Sequence, residues 1–442
     1  MNPYPSYKDS KMEWIGEIPS KWEVKSIKYI SGYNLESLGS DTKPDYELDY
    51  LEISDVNSGG EINEPTHYEF SKSPSRCRRI VKQNDIIIST VRTYLKSIGF
   101  IENDVTDLIC STGFCVLSPN DVIKPKLLFY LVRSEWFISN VISQSIGVSY
   151  PGIQTEKLMS IKVLLPPTNE QSQIVSFLDT KTQKIDELIE KTEQKIELLK
   201  EKRTSLINHC VTKGLNPNVE MKDSGVEWIG EIPSHWIRTK MKYVVHIFGR
   251  IGYRGYTTED IVNEGEGVIT ISPSNIREDK FSTENSTYLS WEKYHESPEI
   301  QIFTNDIILV KTGSTIGKTS IIPNNVPEMT INPQLVVLKN IRLFPKYLYY
   351  QTTCRFIKES FDIEQTGSST PTISQEKMNE FPILNPSNDE QIQIVEYLDE
   401  QTQKIDSTIE KETQRIELLK EYRQSLISEV VTGKVDVRDY NG

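Results

Sequence analysis

The sequence predicts a mixed α/β fold of the α+β kind, built twice. Two globular domains are separated by two long, antiparallel, coiled-coil-like helices, in an internal pseudo-two-fold duplication. Three observations predict it. The decapeptide EWIGEIPSKW at 13–22 returns as EWIGEIPSHW at 227–236. Residues 170–209 align without a gap to 390–429, with 26 of 40 positions identical. A chain of 442 residues is too long for one ordinary core, and the blocks between the repeats read as short strands.

In chain order, the first domain spans residues 1–168. Its densest apolar run, NDIIISTV at 84–91, has the length of a buried strand, and KLLFYLVRSEWFISNVI at 126–142 reads as helical. Residues 169–214 form the first helix. Leu178, Thr182, Ile185, Ile189, Thr192, Ile196, Leu199, Arg203 and Leu206 step by four and three alternately, which is a coiled-coil seam. Pro166-Pro167 precede a Thr168/Gln171 capping-box pattern, and Gly214 and Pro217 end the helix. Residues 215–388 form the second domain. Residues 389–442 hold the second helix, entered at Ser387 and Glu390, with its seam at Leu398, Thr402, Ile405, Ile409, Glu412, Ile416, Leu419, Arg423 and Leu426. Nearly 40 residues at 1.5 Å each give a rod of roughly 55–60 Å. One apolar stripe cannot stabilise a lone helix, so the two stripes are expected to bury each other.

The ends of the two variable blocks match and their middles do not. GVSYPGIQTEK (147–157) lines up with GSSTPTISQEK (367–377), and QNDIII (83–88) with TNDIIL (304–309). The stretches 33–60 and 248–275 share no recognisable pattern. The scaffold is kept and the mounted surfaces diverge. The apolar residues of the decapeptides, Trp14, Ile15, Ile18 and Trp22 with Trp228, Ile229, Ile232 and Trp236, are expected to clamp each domain to the helix ends.

Bulk properties exclude several classes. No apolar run reaches the ~18–20 residues of a membrane span, and the first twelve residues lack the pattern of a signal peptide. Five cysteines form no CxxC, and five scattered histidines form no HxxxH pair, so no metal site is expected. The chain reads as cytoplasmic. The net charge is −13, of which −6 falls in residues 389–442, a balance that argues against tight DNA binding by the chain alone.

No catalytic motif is complete. NPQL at 332–335 is the nearest approach to an adenine methyltransferase's (D/N)-P-P-(Y/F) and lacks its second proline and stacking ring. Pro44-Asp45 has no acid-x-Lys partner of the nuclease kind before Lys72. TGSTIGKTS at 312–320 looks like a phosphate loop, but Gly313 and Gly317 enclose three residues where nucleotide binding requires four.

The arrangement resembles the specificity (S) subunits of type I restriction–modification systems over essentially the whole chain. The carriers are the paired EWIGEIPSxW decapeptides, the paired EQxQIVxxLDxxTQKID and IELLKExRxSLI helices, and the NDII…TGSTIGK and GSSTPTIS segments. The resemblance implies two target-recognition domains, each reading one half of a split, asymmetric sequence in double-stranded DNA. It implies helices that set the gap and dock two methyltransferase (M) subunits, with restriction (R) subunits joining the resulting core. It implies no chemistry and no cofactor on this chain, S-adenosylmethionine belonging to M, and ATP and magnesium to R. The competing reading is a structural adaptor presenting two protein-binding domains on a helical spacer.

Candidate DNA contacts follow from side-chain chemistry. In the first block they are Arg76, Arg78, Arg79 and Lys82, then Arg92, Thr93, Tyr94 and Lys96, and Ser149 and Tyr150 before the helix. In the second they are Arg250, Tyr253, Arg254 and Tyr256, the loop residues Lys311, Thr312, Ser314, Thr315 and Lys318, and Ser368, Ser369 and Thr370. A glycine- and hydroxyl-rich loop with a lysine offers N–H groups and an ammonium to a DNA phosphate.

Overall fold

The matched Asn-Asp pairs are turns that launch buried strands. Asn84 and Asn305 adopt left-handed backbone, φ 72° and 67°, which asparagine tolerates better than most residues. Asp85 then accepts from Lys82 N at 2.8 Å, and Asp306 from Phe303 N at 2.9 Å. The strands that follow, Ile86–Ser89 and Ile307–Val310, are buried throughout. In this computed structural model, which describes residues 3–277, 280–367 and 370–440, the chain divides into two units: Met1–Glu193 with Thr413–Gly442, and Gln194–Glu412.

The first unit carries two four-stranded sheets. In one, Ser31–Tyr33, Phe114–Pro119, Ile86–Ser89 and Ile98–Phe100 lie side by side in that order, all antiparallel. The other orders Thr66–Glu69, Glu47–Leu51, Leu108–Ser111 and Cys77–Ile80, with its central pair parallel. The second unit repeats this plan. His246–Gly249, Leu335–Lys339, Ile307–Val310 and Thr319–Ile321 form the antiparallel sheet. The mixed sheet orders Ile261–Val262, Thr287–Leu289, Val268–Ile271, Met329–Ile331 and Gln301–Ile302, with Val268–Ile271 parallel to Met329–Ile331. The unlike stretches 33–60 and 248–275 therefore build equivalent sheets. A strand requires only which faces are buried, and many side chains satisfy that.

Two helices dominate the helical content, Thr168–Lys213 with 46 residues and Asn388–Val431 with 44. In the first unit the start of one runs antiparallel to the end of the other: Leu178 and Ile185 share a core with Leu426, Ile427 and Val430, and Arg423 Nε lies 2.8 Å from Asp186. Within the second unit, Arg203 Nε lies 3.0 Å from Asp406, and Lys195 Nζ 2.5 Å from Glu412. Of the seam residues, Leu178, Ile185, Ile196, Leu398, Ile405, Ile416 and Leu426 are buried. Ile189, Leu199, Leu206, Ile409 and Leu419 are half-buried. Both arginines that the seam spacing singles out answer an aspartate at matching positions, which sets register as well as adding attraction.

The same polar clamp holds helix to domain in each unit. Tyr130 Oη donates to Asp179 at 2.7 Å and Tyr350 Oη to Asp399 at 2.6 Å. Lys126 and Lys346 pair with those aspartates at 3.5 and 2.7 Å. Trp22 Nε1 donates to Glu170 at 2.9 Å, and Trp236 Nε1 to Glu390 at 3.3 Å. The Ser387/Glu390 capping box forms. The Thr168/Gln171 box does not: Gln171 accepts from Lys124 N and donates to Pro166 O, the same pair of contacts that Gln391 makes with Phe344 N and Pro386 O.

The decapeptides divide differently from the expectation. Ile15, Ile18, Trp22, Ile229, Ile232 and Trp236 are buried in the two cores, but Trp14 is 62% and Trp228 39% exposed. The reason is local. Ile15 turns inward ahead of Gly16 at φ 72°, and Ile229 ahead of Gly230 at φ 69°, which leaves the preceding tryptophan on the outer side of the turn.

Candidate nucleic-acid interface

The first unit's antiparallel sheet ends in a hairpin loop between Ile86–Ser89 and Ile98–Phe100. This loop is the segment VRTYLK, and its tip is a single turn, Thr93–Leu95, bracketed by Arg92 at φ 51° and Lys96 at φ 56°. Left-handed backbone is uncommon at residues with a Cβ. The loop is held by the GVSYPGI segment, where Arg92 N donates to Pro151 O at 2.7 Å and Ile153 N to Thr90 O at 2.9 Å, and by Ser145 just before it, whose hydroxyl lies 2.8 Å from that of Thr93. The Arg92 guanidinium sits 4.6 Å from the Tyr150 ring centroid. Arg92, Tyr94, Lys96, Ser149 and Tyr150 are all exposed. Thr93 is buried and serves the loop itself.

The second unit builds the same device from the phosphate-loop lookalike. Gly313 N donates to Pro371 O at 2.9 Å, Ile373 N to Lys311 O at 3.0 Å, and Thr312 meets Thr372 through their hydroxyls at 2.7 Å. Gly313 and Gly317 stand where Arg92 and Lys96 stand in the first unit, and both have positive φ, 105° and 82°. One backbone is thus realised once with two cations at its hinge positions and once with two glycines. Ser314 and Thr370 are exposed, and Thr315 and Lys318 are half-buried. Lys311 is half-buried too, and burial alone pulls its ammonium below the ordinary lysine pKa. Ser368 and Ser369 lie outside the described residues.

In both units the supporting loop pivots on a glycine. Gly147 has φ 118° and Gly367 φ 92°, and a Cβ would come within 3.1 Å of Tyr150 O and 2.8 Å of Thr370 O. Gly147→Ala and Gly367→Ala are each expected to destabilise their loop by about 1–3 kcal/mol. The check is hydrogen exchange: protection falls within residues 146–152 or 366–372 and holds elsewhere, whereas unchanged protection would mean that the strain is absorbed.

The other candidates are placed differently. Arg250 is 5% exposed and donates to Ile331 O at 3.2 Å, Thr330 Oγ1 at 3.1 Å and Arg254 O at 3.4 Å, over the Tyr256 ring. Burial lowers its pKa, and its chemistry is spent inside the fold. The structure thus places Arg250 in the interior, against the expectation of a DNA contact there, because its guanidinium finds acceptors at Ile331 O and Thr330 Oγ1 on the neighbouring strand. Arg254 pairs with Glu299 at 3.2 Å, Tyr256 packs beside Val268, Leu289 and Tyr294, and the side chain of Tyr253 lies outside the described residues. In the first unit Lys82 pairs with Glu36, Arg79 donates to Ser37 at 3.3 Å, and Arg78 lies over Phe70. Arg76 is exposed, and its carbonyl accepts from Thr112 N, beside the Gly113 that anchors Thr90. The four-cation run is thereby split, and only Arg76 adjoins the hairpin.

One further exposed residue adjoins the glycine hairpin. Gln334 is exposed and its carbonyl accepts from Lys311 N at 2.8 Å. In the sequence it stands within NPQL, the incomplete methyltransferase motif. A polar turn placed directly before the strand LVVLK, which pairs with NDIILV, was the available signal. An exposed amide can address adenine N6 and N7. Among the described residues no cluster of three or more His, Cys, Asp or Glu is placed to hold a metal ion, and no helix is long and apolar enough to cross a membrane.

Paired hairpin platforms on a duplicated helix-and-sheet scaffold define a two-part recognition protein. The sequence matches the family described as Type I restriction modification DNA specificity domain over residues 19–198 and 257–420, and the chain belongs to that family. It is 26% identical over 434 residues to the type I restriction enzyme MjaVIII specificity subunit of Methanocaldococcus jannaschii, covering 96% of this chain and 95% of that one. It is 21% identical over 236 residues to the EcoKI specificity subunit of Escherichia coli, across 52% of this chain and 48% of the other. Among solved structures, a chain of a type I R-M system superposes with a TM-score of 0.74 at 21% identity, covering 95% and 99% of the two chains. The HsdS subunit from Thermoanaerobacter tengcongensis superposes with a TM-score of 0.52, also at 21% identity, over 95% of this chain and 98% of that one.

Proposed function

We propose that this chain is the non-catalytic DNA-specificity subunit of a type I restriction–modification enzyme, each unit reading one half of a bipartite, asymmetric target in double-stranded DNA. The long helices set the half-site spacing and dock two methyltransferase (M) subunits, to which restriction (R) subunits join. S-adenosylmethionine then belongs to M, and ATP and magnesium to R. The observation that carries the reading is the hairpin platform that occurs twice with one backbone and two chemistries. In the first unit it offers Arg92, Tyr94, Lys96, Ser149 and Tyr150, and in the second Lys311, Ser314, Thr315, Lys318, Gln334 and Thr370. Cations and hydroxyls serve phosphates, and Arg, Lys and Gln also serve the acceptors of guanine and adenine in the major groove.

The test is a block exchange. Replacing residues 30–145 with the corresponding block of another specificity subunit, in cells that also carry the M subunit, should change one half of the methylated motif and leave the other intact. Methylation-sensitive sequencing reads the result. An unchanged motif, or a change in both halves, would favour the adaptor reading, in which the two domains bind proteins.

A further inference from the structure

Gln334 is the turn residue before the strand Leu335–Lys339, and its counterpart in the first unit is Gly113. Lys311 N donates to Gln334 O and Thr90 N to Gly113 O, each at 2.8 Å. Two residues earlier the units again match in backbone and differ in side chain. Asn332 Oδ1 accepts from Gln334 N at 3.0 Å, and Ser111 Oγ accepts from Gly113 N at 3.3 Å. At this turn the second unit therefore carries a pair of amides where the first carries a serine and a glycine.

The pair fixes which way the Gln334 amide faces. A backbone N–H only donates, so the Asn332 atom that meets Gln334 N is the carbonyl oxygen, and Nδ2 is the atom turned to the glutamine side chain. Asn332 Nδ2 donates to Gln334 Oε1 at 3.2 Å, so Oε1 faces Asn332 and Nε2 is turned away from it. Asn332 is 7% exposed and its own N–H donates to Ile271 O at 2.8 Å, so the orienting amide is itself held by the fold. Gln334 Nε2 lies beside the glycine hairpin, 3.6 Å from the place of a Cβ on Gly313. Among the described residues nothing accepts a hydrogen bond from it.

We infer that Gln334 is a base-reading residue of the second unit and that the base it reads is adenine. With Nε2 unengaged and one lone pair of Oε1 still open, the exposed amide presents a donor beside an acceptor. The major-groove edge of adenine is the complement, N7 accepting and N6–H donating. Guanine offers two acceptors, N7 and O6, so Oε1 would meet O6 with no proton between them. Turning the amide over to avoid that breaks its bond to Asn332. Cytosine offers a donor alone, and thymine an acceptor beside a methyl group. Gln334 thus touches the base, and Asn332 is a positioning residue that sets the choice between the two purines. Ser111 and Gly113 supply no such amide, so this contact falls in one half-site only.

The inference deepens the reading of this chain as a DNA-specificity subunit and rests on it. Its test uses the full chain, the M subunit encoded with it, and the variants Gln334→Ala and Asn332→Ser. Gln334 is exposed, and the serine reproduces the contact that Ser111 makes in the first unit, so both variants should fold. Methylation-sensitive sequencing reads the half-motif that survives exchange of residues 30–145. One A·T pair there should relax to any pair with Gln334→Ala and to either purine with Asn332→Ser, every other position holding. Discrimination by the complex against G·C at that pair should fall from about 10- to 100-fold to under about threefold with Gln334→Ala. A duplex with 7-deazaadenine at that position pairs normally but lacks N7. Wild type should bind it about 3- to 10-fold more weakly than the natural duplex, and Gln334→Ala should bind both alike. An unchanged motif, or affinity lost equally on all sequences, would make Gln334 a phosphate contact or a bystander and overturn the inference. Relaxation at a pair other than A·T, or Asn332→Ser behaving as wild type, would overturn it equally. If the wild-type chain with M methylates no two-part motif, the specificity-subunit reading itself falls.

Discussion

Lys311→Met is expected to lower the affinity of the assembled complex for its target DNA by about 10- to 100-fold, the range of one charge-assisted hydrogen bond. Lys311 sits where the glycine hairpin, the supporting loop and Gln334 converge. Its ammonium is half-buried, burial alone holds its pKa below the ordinary value, and no carboxylate offsets that. A DNA acceptor favours the charged form, so the pKa rises on binding. The sign follows: below the free-chain value Lys311 is protonated in both states and affinity is full. As pH rises through that value the free chain loses the proton first, binding must take one up, and affinity falls by up to about tenfold per pH unit until the bound value is passed. Titrating affinity from pH 7 to about 10 at fixed salt checks this. Wild type should show the alkaline decline and Lys311→Met should lack it, and parallel curves would remove Lys311 from the interface.

The largest structural effect is expected at Trp22. Its ring is fully buried, and its indole N–H meets Glu170, itself 3% exposed, at 2.9 Å. Trp22→Ala opens a cavity and leaves the carboxylate short of a donor, with an expected loss of about 3–5 kcal/mol. Trp22→Phe keeps most of the packing and should lose about 1–3 kcal/mol. Trp236→Ala is the counterpart in the second unit. Hydrogen exchange locates the damage: Trp22→Ala should lower protection across residues 3–193 and 413–440 and spare 194–412, with the reverse for Trp236→Ala. Uniform loss across the chain, or a change under about 1 kcal/mol, would contradict the clamp.

The scaffold was legible because it is periodic and said twice. A seam stepping by four and three admits one reading, and the aligned helices name their partners. The equivalence of the two variable sheets was not legible, because the strands Glu47–Leu51 and Val268–Ile271 meet one burial pattern with unrelated side chains. The interface was half legible. VRTYLK and GVSYPGI both stood out, but only the hydrogen bonds from Arg92 and Ile153 place them together. Arg250 reads as an exposed cation because composition cannot distinguish an arginine on a surface from one whose guanidinium finds acceptors inside the fold. Trp14 misled likewise, since a tight turn at Gly16 sends neighbouring apolar residues to opposite sides.

The division of the chain has a consequence for its synthesis. The second unit is contiguous, Gln194–Glu412, whereas the first needs Thr413–Gly442 to complete it. Its core includes Leu426, Ile427, Val430 and Val431 beside Ile18 and Trp22. Domains generally fold as they emerge from the ribosome. Here the part made first closes last: its decapeptide and the opening of its long helix wait with apolar surface uncovered while more than two hundred residues are added. The early half is therefore the one exposed to misassembly and chaperone capture during translation, and a chain cut short before residue 413 loses the completion of its first unit while keeping every residue of its second.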